Sequence, residues 1–296
     1  MMIASCGIFD SNDDIAPAKG FLAVGGEFLL FPGTATNLFH ISDNGSEITQ
    51  LTFDSLAYLD AKWSPDGRQI IAGAMFIRDN SFIYLFNSDG SGKELLHSSS
   101  LSPIWSPDGN RFAYLDGGDV YIYELQSGDT THLGEGVGLE IPKGWSTEHG
   151  ILVTGTRFTY TEEGYINSTI DEEIYKMDLN GNMTQLTSDS TLRKGFVSLS
   201  HDEDFIAYTA GPRFHIYILS LSDTTTRIIT LEREFENTPI WSPDGSKLAL
   251  RYVDKDSSTT DGIYLLDINT EELTLFYEYT EENIETYGHI YILDWR

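Results

Sequence analysis

Short apolar runs recur along the whole chain, separated by polar turns, and none approaches the 18 or so residues that a membrane-spanning helix needs. One set pairs an apolar, mostly β-branched residue with an aromatic one: Leu38-Phe39, Ile83-Tyr84, Ile122-Tyr123, Ile174-Tyr175, Ile216-Tyr217 and Ile263-Tyr264. Several of these pairs lead into a turn, such as Ser42-Asp43-Asn44-Gly45, Ser88-Asp89-Gly90 or Leu179-Asn180-Gly181, and then into a further short run such as residues 48–52. Runs of this length and composition, bounded by Gly, Asn, Asp and Ser, predict β-strands joined by hairpins, with almost no helix.

A five-residue phrase, Trp-Ser-Pro-Asp-Gly, sets the period. It occupies residues 63–67, 105–109 and 241–245, and each copy is followed by an apolar run within residues 69–72, 110–114 or 247–250. Pro presets φ for the first central position of a turn, Ser and Asp bond nearby backbone, and Gly takes the positive φ that ends it. Trp closes the incoming strand, where a large ring can pack between sheets. Degenerate copies fill the gap: residues 145–150 keep Trp145, Ser146 and Gly150, and residues 199–203 keep Ser200 and Asp202 but lose Trp and Gly. The anchors at 63, 105, 145, 199 and 241 lie 42, 40, 54 and 42 residues apart. Four short strands per period of about 40 residues predict a β-propeller, here with six units.

The phrase, followed by an Ile-Tyr strand and a Leu-Thr strand (residues 50–52 and 185–187), resembles the TolB-type propeller with its WD40-like repeats. The resemblance covers residues 20–296 and implies a six-bladed, all-β propeller of four-stranded antiparallel blades. It is silent on activity, because the same repeat serves periplasmic adaptors, peptidase propellers and lyases. It also implies export, as TolB-type propellers commonly are.

The two ends of the chain complete the picture. Residues 1–20 read as a tether ahead of a single propeller domain over 21–296. Residues 3–6, ending in Cys6, resemble a bacterial lipobox, which implies acylation of Cys6 and a periplasmic or cell-envelope location, or a cytoplasmic one if the match is chance. The first unit lacks the Trp phrase, and the chain ends on a surplus strand that carries Trp295. That strand is expected to supply the inner strand of the first blade and so close the ring.

Within each blade the A–B and C–D turns share one face, and these are the tight ones. The long connections at 159–171, 253–262 and 280–287 fall on the other face, which is the expected binding face. Arg78, Arg157 and Arg213, at or just after B-strand ends, with Tyr160, are its candidate ligand-binding residues. Asp254, Asp256 and Asp261 offer weak oxygen ligands for Ca²⁺; no other metal or cofactor is expected. No G-x-S-x-G elbow, H-E-x-x-H or C-x-x-C occurs, so no catalytic set assembles. The net charge of −28, from 46 acidic against 18 basic residues, disfavours nucleic acid and anionic lipid. The expectation is a monomeric, non-catalytic propeller that docks a protein or glycan, touching membrane only through the Cys6 lipid. The alternative is a lyase or hydrolase acting on a carboxylated sugar at the channel mouth.

Overall fold

The computed structural model describes residues 15–26, 35–76, 80–98, 100–133, 138–157, 159–160, 166–167, 172–188, 194–211, 215–231, 239–252, 260–287 and 289–296. Blade one holds β1 (Phe21–Gly26), β2 (Asn37–Ile41) and β3 (Ile48–Gln50). Blade two comprises β4 (Ala57–Trp63), β5 (Gln69–Phe76), β6 (Asn80–Asn87) and β7 (Glu94–Ser98). Blade three comprises β8 (Leu101–Trp105), β9 (Arg111–Asp116), β10 (Asp119–Glu124) and β11 (Thr130–His132). Blade four runs through β12 (Gly138–Ser146) and β13 (Gly150–Arg157), then a ribbon of β14 (Thr159–Tyr160) and β15 (Ile166–Asn167), then β16 (Glu172–Met177) and β17 (Met183–Gln185). Blade five comprises β18 (Lys194–Leu199), β19 (Phe205–Ala210), β20 (His215–Ser220) and β21 (Thr226–Ile229). Blade six comprises β22 (Ile240–Trp241), β23 (Lys247–Tyr252), β24 (Gly262–Asp267) and β25 (Leu273–Glu278), after which come α1 (Glu281–Tyr287) and β26 (His289–Trp295). Six four-stranded antiparallel sheets result, as the sequence predicts.

The second strand of each blade explains the apolar runs. A strand buried on both faces reads as continuous hydrophobicity rather than alternation. In β1, Phe21 and Ala23 face blade six while Leu22 and Val24 face blade two. In β23, Leu248 and Leu250 face blade five while Ala249 faces blade one. The outermost strands bury little, and β11 is exposed along its length. The core is accordingly divided into six clusters, one at each interface between neighbouring blades. A tryptophan wedges into five of them: Trp63, Trp105, Trp145, Trp241 and Trp295, each packed against the preceding blade. Leu199 takes the place at the blade four–five interface.

Closure follows the expected route. Strand β26 pairs antiparallel with β1, from Phe21 opposite Trp295 to Gly26 opposite His289, giving the order β26-β1-β2-β3. The Phe21 and Trp295 rings stack at 4.4 Å, and Gly20 and Arg296 exchange backbone bonds of 2.5 and 2.8 Å just beyond them. Helix α1 is a departure from the sequence reading. Thr280 caps it, its hydroxyl accepting the Asn283 N–H at 3.2 Å, and Glu281 and Glu282 sit in the first turn, where the helix dipole favours acids.

One buried ion pair ties blades four and five. Lys194 Nζ donates to Glu173 Oε1 at 2.8 Å, both side chains being nearly inaccessible, and the Thr187 hydroxyl donates to the other carboxylate oxygen. Removing one partner of such a pair costs far more than the pair itself contributes, because a buried charge is stranded.

Trp295 is 8% exposed, comparable to the repeat tryptophans. Replacing it with Ala is expected to lower unfolding free energy by about 3–5 kcal/mol in denaturant titration, although it lies next to the last residue. A loss below about 1 kcal/mol would mean that the ring closes without its ring stack.

Candidate functional site

The three full turns share one geometry. Gly67, Gly109 and Gly245 donate their N–H to the carbonyls of Ser64, Ser106 and Ser242 at 2.8, 2.9 and 2.9 Å, with φ of 74, 71 and 68°. Each Ser hydroxyl donates to the Asp two residues on, at 2.6 to 2.7 Å, and accepts the N–H five residues on. The Asp oxygen also accepts the N–H of the residue after Gly. Such bonds to the ionised form hold the carboxyls below their ordinary range: first the Ser242 hydroxyl, then the Ser246 amide, bring Asp244 to about 2.

The two degenerate turns depend on each other. In blade five Ser200 and Asp202 keep the pattern, but Glu203 stands where Gly belongs and is held left-handed at φ 64°. A side chain is costly in that conformation, by roughly 1–2 kcal/mol. Its carboxylate explains the choice. Blade four has no Asp at the matching place, and Glu203 reaches across to accept from Ser146 Oγ (3.0 Å), Thr147 N (2.6 Å) and Thr147 Oγ1 (3.1 Å). His201, at the Pro position, points instead toward blade one, its Nε2 lying 2.8 Å from the Trp295 carbonyl.

These turns frame one mouth of the central channel, a cavity of about 310 Å³ lined by Trp63, Trp105, Trp145 and Trp241, with Lys62, Lys143, His201, Glu203, Asp294 and Arg296. The innermost strands present one backbone edge to it, and side chains occupy part of that edge. Asp294 Oδ2 accepts the Trp63 N–H at 2.9 Å, Lys62 Nζ donates to the Leu293 carbonyl at 2.5 Å, and Trp105 Nε1 donates to the Lys62 carbonyl at 3.1 Å. Lys62 and Asp294 also form an ion pair at 3.7 Å. The Arg296 guanidinium donates to the Ser64 carbonyl at 2.9 Å and to the Pro65 carbonyl.

Deeper in the channel, five inner strands break register within the described residues, four of them two or three residues before the closing Trp or Leu and β4 four residues before Trp63. The bulged residues are Leu59, Ser102-Pro103, Lys143, Phe196-Val197 and Leu293, and all of them line a second cavity of about 300 Å³. Ser102 and Phe196 take positive φ, 54 and 50°, to do so. A bulge turns an extra side chain out of the ladder, so the channel waist is built from residues surplus to pairing. Asp60 sits in its wall and accepts the Gly73 N–H at 3.0 Å. Burial pushes its carboxyl up, against the Ser102 hydroxyl and the Gly73 amide and then the charges of Lys143 and Lys62.

Of the residues singled out from sequence, Cys6, Arg78, Arg213, Asp254 and Asp256 lie outside the described residues. Arg157 ends β13 and Tyr160 belongs to β14, which places both on the long-connection side of the ring. Asp261 precedes β24, its carbonyl accepting the Tyr279 N–H at 2.9 Å. Among the described residues no three His, Cys, Asp or Glu side chains converge as metal ligands. Sequence reading missed the tight-turn mouth and the waist. Pro103 and Pro142 inside inner strands were the available signal, since proline in a strand marks an edge or a bulge.

These features define a six-bladed propeller with a charged, tryptophan-rimmed channel, and comparison with known proteins places its fold among TolB structures. TolB from Acinetobacter baumannii superposes with a TM-score of 0.70 at 16% identity over 92% of this chain, which spans 64% of that protein's length. A protein of Agrobacterium tumefaciens assigned as TolB gives 0.64 at 16% identity over 88% of this chain and 89% of its own. An oligogalacturonate lyase in complex with manganese gives 0.58 at 11% identity, covering 82% and 71% of the two chains. In sequence, the uncharacterized protein Atu1656 of Agrobacterium fabrum is 27% identical over 259 residues, 80% of this chain and 83% of its own. No family model matches the chain. At these identities the likeness to the solved structures is one of fold. Among the described residues no helix is long and apolar enough to cross a membrane.

The Glu203 clamp can be tested by two substitutions. Glu203→Ala removes the carboxylate and keeps a strained side chain, and should lower stability by about 1–3 kcal/mol. Glu203→Gly removes the carboxylate and the strain together, and should lose less by about 1 kcal/mol. Equal losses in urea titration would show that the left-handed backbone is not strained.

Proposed function

We propose that this chain is a non-catalytic binding propeller that docks a protein partner at the tight-turn mouth of its channel. One observation carries the reading: side chains of both charge signs and open inner-strand edges converge there on a tryptophan-walled cavity. Backbone edges recognise peptide, and mixed charges fix register and orientation rather than performing chemistry. The TolB likeness supports a binding role at the level of fold. The long-connection face, with Arg78, Arg157, Tyr160 and Arg213, is the other candidate docking surface of the same propeller, and a glycan the other class of partner.

The enzyme reading rests on the likeness to the oligogalacturonate lyase and on Lys62, Lys143 and Arg296, cations suited to a carboxylated sugar. The described residues do not offer that lyase's metal a ligand set.

Chemical cross-linking in a cell-envelope extract, read by mass spectrometry, separates these readings. A protein captured by the parent should be lost from a Lys143→Ala/Arg296→Ala variant of unchanged melting temperature and retained by Arg78→Ala/Arg157→Ala/Arg213→Ala. The opposite pattern moves docking to the long-connection face, and release of unsaturated product from oligogalacturonate by the parent protein would overturn the non-catalytic assignment. Envelope location belongs to the same proposal, with Cys6 as the acylated residue. Behind a complete export signal, Cys6→Ser should shift the protein from the membrane fraction to the soluble one; unchanged partitioning removes the anchor.

A further inference from the structure

A separate groove opens between blades five and six on the tight-turn face. It encloses about 280 Å³ and is floored by Phe205, Ile218 and Ile268, with Trp241 as the wall toward the channel. Phe205 breaks the repeat. The first residue of the second strand is Gln69 in blade two, Arg111 in blade three and Lys247 in blade six, all polar. In blade five it is an aromatic ring left 37% exposed, tilted against Trp241 with centroids 6.4 Å apart. Its ring adds apolar surface to the groove at a position where three other blades carry long polar side chains.

The rim is polar and of both hydrogen-bonding kinds. Asp202 and Asp244 commit Oδ1 to their own turns, and no bond within the described residues engages Oδ2 of either. Arg227 is fixed at the outer end by its 2.8 Å bond to Glu271 of the neighbouring blade, and Asn269 adds a side-chain amide.

We propose that this groove is a binding subsite for a neutral sugar ring. An apolar ring face packs on Phe205. Hydroxyls, which donate and accept at once, suit Asp202 and Asp244 on one side and Asn269 and Arg227 on the other. A uronate would set its carboxylate against that of Asp244, which is held at about 2, first by the Ser242 hydroxyl. An organic cation would leave the amide and guanidinium donors without acceptors. The subsite abuts the channel mouth, sharing Ser200 and Trp241 with it, and does not depend on a protein docking there.

The test is a titration of the intact protein, followed by calorimetry and amide NMR. The probes are glucose, galactose, N-acetylglucosamine and their disaccharides, with galacturonate and spermidine as charged controls. A neutral sugar should bind in the millimolar range. Phe205→Gln, which installs the residue blade two already carries there, should weaken it about five- to tenfold at unchanged melting temperature. Asp202→Asn keeps the turn's acceptor and should weaken it as well. Absence of binding by every neutral sugar, parent-like affinity in Phe205→Gln, or preference for galacturonate or spermidine would each overturn the proposal.

Discussion

A blade whose second strand is apolar on both faces cannot be stable alone, and that constraint shapes the rest of the molecule. Each sheet must be covered on two sides by other sheets, and a row of such sheets leaves an apolar face bare at each end. Joining the ends is the only arrangement that removes both. Hence the core is six separate slabs rather than one interior, and each slab has its own large side chain, five times a tryptophan and once Leu199. The pairing of β26 with β1 converts a stack into a ring.

The ring leaves a hole, and the hole is where the chain departs from regularity. Inner strands have a free edge, so prolines and bulges that an interior strand would not tolerate are admitted there. Their surplus side chains make the waist, and the residues preceding the tryptophans make the mouth. The turns around that mouth are also where the repeat is least faithful: Glu203 for glycine, His201 for proline and Phe205 for a polar residue all fall within one short stretch of blade five. Strain at Glu203 and exposure at Phe205 thus occur together in blade five.

Much of this was legible in the sequence. The period, the blade number, the closing strand and the burial of Trp295 follow from the Trp-Ser-Pro-Asp-Gly phrase and from what a ring requires. The channel lining was less so, for a physical reason. Long connections advertise themselves in a sequence, whereas a channel lined by Lys62, Lys143 and Asp294 is assembled from strands far apart in the chain, one residue at a time. The clamp from Glu203 to Ser146 and Thr147 is likewise invisible until two blades are set side by side. Helix α1 was missed because it is a single capped segment in a chain whose pattern is otherwise all strand.

The seam between β26 and β1 also governs the order of events in folding. Every other blade is built from neighbours in the chain, by hairpins that form locally and fast. Blade one joins Phe21 to Trp295, so its completion must meet the loop-closure entropy of nearly the whole polypeptide. Five sheets can therefore assemble while the first waits with β1 unpaired on one edge. A nascent chain passes through that open-ringed state on every round of synthesis. During that interval the unpaired edge of β1 is open to strands of other chains.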